Sequence, residues 1–134
     1  MYTNGSSLLA EDEIFGSQET YAPVYATIWE IQQVGQKQWI RIRETIEFCR
    51  RMDYKKIGVA FCRNLREEAR ILVRILRRHG FHVTAVMCKA DGLFQAALLN
   101  EQRTDFNLAV GMCVSRDTVF YKYSKAMVTT VITR

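Results

Sequence analysis

A short apolar run that ends in a cysteine and opens into an arginine-faced helix does most to limit how this chain can fold. In KKIGVAFCRNLREEARILVRILRR, Lys55 to Arg78, the segment Ile57-Gly58-Val59-Ala60-Phe61 has no polar alternation. That is the signature of a strand buried on both faces, as in a parallel sheet covered by helices. Cys62 closes the run. Asn64 followed by Glu67 has the spacing of a capping box, which predicts a helix start there. Leu65, Ala69, Leu72, Val73 and Leu76 then recur at helical spacing, with Arg66, Arg70, Arg74 and Arg77 on the other side. The unit reads strand, cysteine, amphipathic helix. It sets the Cys62 thiol near the free N–H groups of a helix N-terminus.

The same unit recurs. Phe81 to Met87 reads as a second strand ending at Cys88, entered through His79-Gly80, where the glycine suits a helix C-terminus. Asp91-Gly92 leads into a helix from Leu93 to about Gln102. Phe106 to Met112 reads as a third strand ending at Cys113, with Ser115 as a helix cap for a segment running to Lys125. Val128 to Thr133 reads as a last strand. Two helical stretches, Thr27 to Val34 and Lys37 to Met52, precede the first strand; the second carries Trp39, Ile42, Ile46 and Cys49 on one face. Residues 1–22 read as a polar arm, and residues 23–134 as one domain. The expected fold is α/β: three layers around a mostly parallel sheet of about four strands, Rossmann-like, with two leading helices.

The chemistry follows from that rhythm. Cys62, Cys88 and Cys113 are spaced by 26 and 25 residues, one strand-plus-helix unit each. All three are therefore expected at the carboxyl ends of parallel strands, the edge where open α/β sheets bind ligands. Neighbouring strands lie about 4.8 Å apart, close enough for sulfurs to approach one another. Soft thiolates converging on one rim suit a metal or redox work. A metal site would need a fourth ligand, drawn from water, His79, His82, Asp117 or another subunit's thiol. The two histidines bracket the amino end of the second strand, which argues against them, and Cys49 on an apolar helix face reads as core. One of Ser115 and Asp117 is first a helix cap. Their functional reading, together with Asn64, has Arg116 holding an anion near exposed backbone N–H groups.

Other chemistries lack their marks. No Cys-x5-Arg loop, GxGxxG or Walker A sequence occurs, and no Cys/His pairing supports nucleophilic catalysis. A net charge of +5 comes mainly from arginines interleaved with glutamates on helices, a solvated face before a nucleic-acid stripe. No run is long enough to span a bilayer, and no secretory signal precedes the first helix, so a cytoplasmic protein with reduced thiols is expected. Trp29 and Trp39 on the leading helices point either to self-association or to hydrophobic faces that cover the sheet.

The strings IGVAFC, QAALLN, VGMC and KYSKA, within a match running from about Ala26 to the C-terminus, resemble a bacterial and archaeal family, domain of unknown function 1847. Its members are described as cysteine-rich metal-binding proteins. The resemblance implies that Cys62, Cys88 and Cys113 are the family's cysteines and Asp117 its following aspartate. The chain departs from the pattern where the family has Gly-His and this sequence has Ser115-Arg116, and where a longer cysteine-bearing loop is reduced to KADGLF. It also lacks a cysteine-rich segment before the first helix. Metal binding is the leading expectation, zinc before an iron–sulfur cluster. The alternatives are a thiol-based redox protein, with Cys62 activated at the helix start and Cys88 or Cys113 as the resolving thiol, and a module binding small molecules or anions.

Overall fold

The structure, a computed structural model, describes residue 23 and residues 41–89 and 92–133. The polar arm, the helix expected over Thr27 to Val34, and both tryptophans lie outside the described residues. The order of elements is α1 (Arg41–Arg51), β1 (Lys56–Phe61), a 3-10 turn (Arg63–Leu65), α2 (Arg66–Arg78), β2 (His82–Met87), α3 (Gly92–Glu101), β3 (Phe106–Val110), α4 (Val114–Tyr123) and β4 (Met127–Ile132). The four strands form one parallel sheet in the order β2-β1-β3-β4. The fold is α/β, as the alternation of strands and helices requires.

The layers follow from which side chains each strand sends to each face. Ile57 and Val59 of β1, Val83 of β2, and Phe106, Leu108 and Val110 of β3 pack with Ile46 and Cys49 of α1 and with Ala69, Leu72, Val73 and Leu76 of α2. On the other face Ala60, Val86 and Ala109 pack with Ala96 and Leu99 of α3, and with Met112 and Phe120. Burying each large aliphatic side chain contributes about 1.5–3 kcal/mol, so α2, with two leucines and a valine inward, is a principal support of the sheet. Among the described residues no helix is long and apolar enough to cross a membrane.

The helix ends at the amino edge share one geometry. After α2, Phe81 N–H reaches Leu76 O (3.2 Å) and Gly80 N–H reaches Arg77 O (3.0 Å), with Gly80 at φ 93°. This is the Schellman ending that His79-Gly80 predicts. Asp53 (φ 61°) after α1 and Arg103 (φ 58°) after α3 make the same turn without glycine.

Two local expectations are corrected. The capping box does not form: the 3-10 turn separates β1 from α2, Leu65 takes the N-cap position with no side-chain bond, and Glu67 pairs with Arg70 instead. Leu65 N–H bonds the Cys62 carbonyl (2.9 Å), which tightens the exit from β1 before Asn64 can cap anything. β3 also ends earlier than expected. Gly111 turns into the left-handed region (φ 62°), its N–H on Ile132 O (2.7 Å), so Cys113 lies beyond the strand and itself occupies the N-cap of α4. Ser115 falls inside the first turn and does not cap.

Candidate functional site: the carboxyl rim of the sheet

With β2 and β3 on opposite sides of β1, the chain's order reverses across β1, and the carboxyl rim there is where such sheets open a crevice. The exit of β1 is tied by the backbone to those of β2 and β3. Cys88 N–H bonds Phe61 O (2.9 Å) and Cys62 N–H bonds Val110 O (3.2 Å). One register step beyond Phe61↔Met87 sets Cys62 opposite Cys88; one step beyond Phe61↔Val110 sets it opposite Gly111. Cys62 is extended (φ −84°, ψ 145°), so the alternation of β1 carries it to the side of Gly58 and Ala60, the face covered by α3 and α4. Both thiols are buried, 5% and 8% exposed.

Cys113 differs from them in exposure and in the polar groups around its sulfur. It is partly exposed and stands two residues past the level of Cys62. Its carbonyl receives the N–H groups of Arg116 (3.1 Å) and Asp117 (2.8 Å), the first intrahelical bonds of α4. Its Sγ lies 3.5 Å from Ser115 Oγ and 3.8 Å from Arg116 Nη1. The Ser115 hydroxyl, then the Arg116 backbone N–H and the guanidinium charge, lower the thiol to about 7. A substantial thiolate fraction at neutral pH follows. Cys49 is the opposite case: burial among apolar neighbours pushes it up to about 12, and it is core, as expected.

Two side chains at this rim leave a buried oxygen without a partner. Gln95 of α3 is fully buried; its Nε2 donates to Val86 O (2.9 Å) and Phe61 O (3.3 Å), the carbonyls just before the rim, while Oε1 meets nothing. Asp117 on α4 has a buried, unpartnered Oδ1, and burial raises its carboxyl above the usual value of 3.8. The two helices that carry them start in contact. A Cβ on Gly92 would come within 2.1 Å of Arg116 O and 2.7 Å of Phe120 N, so only glycine admits the approach.

The expected site residues are therefore partly gathered. The backbones of Cys62 and Cys88 leave neighbouring strands at one level, and Cys113, Ser115, Arg116 and Asp117 share the start of α4. Among the described residues no three cysteine, histidine or acidic side chains converge as a metal would require. Asn64 is exposed on the 3-10 turn. His79 caps the end of α2 with Nδ1 2.7 Å from Arg50 Nη2, and His82 opens β2, both at the far edge as expected. Gln95 and Gly92 were not singled out as site residues in the sequence. The one signal was an amide flanked on both sides by apolar residues in the helix GLFQAALLNE.

A profile of the family described as protein of unknown function (DUF1847) matches residues 10–93 and 91–131. The chain belongs to that family. An uncharacterized protein of Methanocaldococcus jannaschii is 43% identical to it over 116 residues, covering 70% of this chain and 60% of the relative's length. In this DUF1847 protein the strings that carried the resemblance have structural work. Gly58 of IGVAFC leaves room for Asn107 and Leu99. QAALLN supplies Gln95 beneath the rim and Asn100, which accepts from Lys125 N–H (2.9 Å) and donates to Tyr123 O (2.9 Å). Thus QAALLN and KYSKA meet, joining the end of α3 to the approach of β4.

Proposed function

We propose that this protein works through thiol–disulfide exchange, with Cys113 as the attacking thiolate. The supporting observation is Cys113 itself: partly exposed, at a helix N-cap, beside Ser115 and Arg116, and lowered to about 7. In the step, the Cys113 thiolate attacks one sulfur of a partner's disulfide. A new S–S bond forms to Cys113, the old one breaks, and the other partner sulfur leaves as a thiolate. An attacking thiol is most effective when its pKa lies near ambient pH, as here. Arg116 and Ser115 are positioning residues that hold the charge on sulfur.

The test is alkylation of each cysteine by iodoacetamide as a function of pH, read by mass spectrometry, with oxidised glutathione as the disulfide probe. Cys113 is expected to react first, with a rate midpoint near pH 7 that moves upward in Ser115→Ala and in Arg116→Gln, and to form the mixed disulfide. A midpoint near 9, or preferential labelling of Cys62 or Cys88, would refute the assignment.

A second reading, metal binding, is favoured by the strand exits, since one register step past Phe61↔Met87 brings the backbones of Cys62 and Cys88 to neighbouring positions. Zinc needs further donors, for which Cys113 and Asp117 are the candidates on this chain, and an iron–sulfur cluster needs more thiolates still. Elemental analysis of anaerobically purified protein and of a Cys62→Ser, Cys113→Ser variant separates the readings. Stoichiometric metal lost in the variant supports the second.

A further inference from the structure

Among the described residues, the outer face of α2 carries more positive charge than nearby carboxylates balance. From Arg63 to Arg78 there are six arginines against Glu67 and Glu68. Arg70, Arg74, Arg77 and Arg78 line, with Val73, a concavity of about 420 Å³. Arg70 pairs with Glu67, and Arg77 Nη2 donates to Val83 O (3.2 Å) on the edge strand β2. Among the described residues no carboxylate pairs with Arg74, Arg77 or Arg78. Long cationic side chains held on one surface repel one another, and a surface without a ligand gains nothing from that arrangement.

We infer that this concavity on α2 is a binding site for a compact phosphorylated ligand, one carrying two or more linked phosphates. Spacing and shape select the chemistry. Arg70, Arg74 and Arg78 follow one another at every fourth residue, so successive guanidinium groups rise along one helix face by about 6 Å per step. That ladder, over roughly 12 Å, matches a short chain of linked phosphates, each able to take a planar guanidinium through two N–H···O bonds. Arg77, anchored on Val83 O, bounds the concavity toward the sheet, and Val73 gives it an apolar floor. The concavity is open and lined by four arginines, a lining that suits a compact polyanion. Glu67 is the competing acid. Its pairing with Arg70 is solvent-exposed and contributes little, so a phosphate can displace it.

The experiment uses the full chain, with pyrophosphate and tripolyphosphate as probes, titrated calorimetrically and by thermal unfolding at matched ionic strength against sulfate and chloride. Saturable, stoichiometric binding of the linked phosphates is expected, weakened at least tenfold in Arg74→Gln and further in Arg74→Gln/Arg78→Gln. Arg74→Lys keeps the charge and loses the fork, and should fall between. Glu67→Gln should bind more tightly, a gain that loss of folding cannot mimic. Equal response to sulfate and pyrophosphate, or no difference among these variants, overturns the proposal. So does tighter binding of a duplex oligonucleotide or of polyglutamate, which would assign the face to a macromolecule. Cys113→Ser should leave phosphate binding unchanged, since this site is independent of the thiol reading.

Discussion

At the amino edge of the sheet, polar side chains close on one another. Asn107 accepts from Thr104 Oγ1 (2.7 Å) and donates to Ser124 Oγ (2.8 Å), which passes its own proton to Ala126 O (2.6 Å). Asp105 Oδ2 takes the N–H groups of Lys55 (2.8 Å) and Lys56 (2.9 Å). At the carboxyl edge the same sheet ends in the unpartnered Gln95 Oε1, the unpartnered Asp117 Oδ1 and a thiol lowered to about 7. A buried polar atom left unpaired costs free energy, and satisfied networks fix a unique structure. One edge is therefore built to hold the strands in register, while the other keeps bonding capacity in reserve. Binding sites pay for function in this way, which is why the reserve at the carboxyl rim reads as functional.

The largest test of the contrast is Gly58→Ala. The new methyl would lie 2.2 Å from Asn107 Oδ1 and 2.8 Å from Leu99 Cδ1, so the amino-edge network and the α3 packing must both give way. Overpacking combined with a broken network should cost about 3 kcal/mol, read by urea unfolding. A cost under about 1 kcal/mol would mean that the amino edge is not the rigid side.

A matched pair of substitutions sharpens the comparison. Asn107→Leu strips Thr104 of an acceptor and Ser124 of a donor at a fully buried position, and is expected to destabilise by about 2–3 kcal/mol. Gln95→Met also removes two hydrogen bonds from a fully buried side chain, yet it removes the orphan Oε1 with them. Phe61 O keeps the Cys88 N–H. Its expected cost is about 1 kcal/mol or less. Equal losses at the two positions would erase the distinction between the edges.

Asp117 gives the contrast a pH signature. Because burial raises its folded carboxyl above 3.8, the folded chain binds that proton more tightly than the unfolded chain does. Its ionisation therefore opposes folding as pH rises through the window above 3.8, and the penalty vanishes below that value. Asp117→Asn should be the more stable protein at pH 7, with the advantage shrinking as pH falls through the window. Cys113 has the opposite sign: a lowered thiol favours the folded state at alkaline pH, and that contribution is lost as pH falls through about 7. Unfolding curves of Asp117→Asn and Cys113→Ser against pH should bend in opposite directions relative to the parent.

Much of the frame was legible because it rests on periodicity. The unbroken run Ile57 to Phe61 announced a strand covered on both faces, and the arginine-against-leucine pattern of α2 announced which side faces the sheet. The rim position of the cysteines was legible too, since parallel strands must deliver their ends to one edge. What escaped was decided by tertiary contact. Asn64 and Glu67 have the spacing of a capping box, but a 3-10 turn begun at the Cys62 carbonyl shifts the helix start past Asn64. Cys113 looked like a strand terminus, yet Gly111 turns the chain early and makes it a helix cap with a charged neighbour. Gln95 resembles any helix glutamine until α3 is packed against the ends of β1 and β2.

The smallest expected effect lies at the amino edge, where the network is complete but the backbone is not ideal. Arg103 ends α3 at φ 58°, with its N–H on Asn100 O (3.0 Å) and Thr104 N–H on Leu99 O (3.4 Å). That is the conformation Gly80 adopts without a Cβ penalty after α2. Arg103→Gly relieves the left-handed strain but frees the unfolded chain, so the two terms partly cancel. A net gain of about 0.5–1 kcal/mol is expected, measured by urea unfolding. Asp53→Gly, at φ 61° after α1, should gain less, because it also gives up the contact of Asp53 Oδ1 with Lys55 Nζ (2.9 Å). If either glycine destabilises, the Schellman turns are held by side-chain contacts, and the amino edge owes its rigidity to more than the Asn107 network.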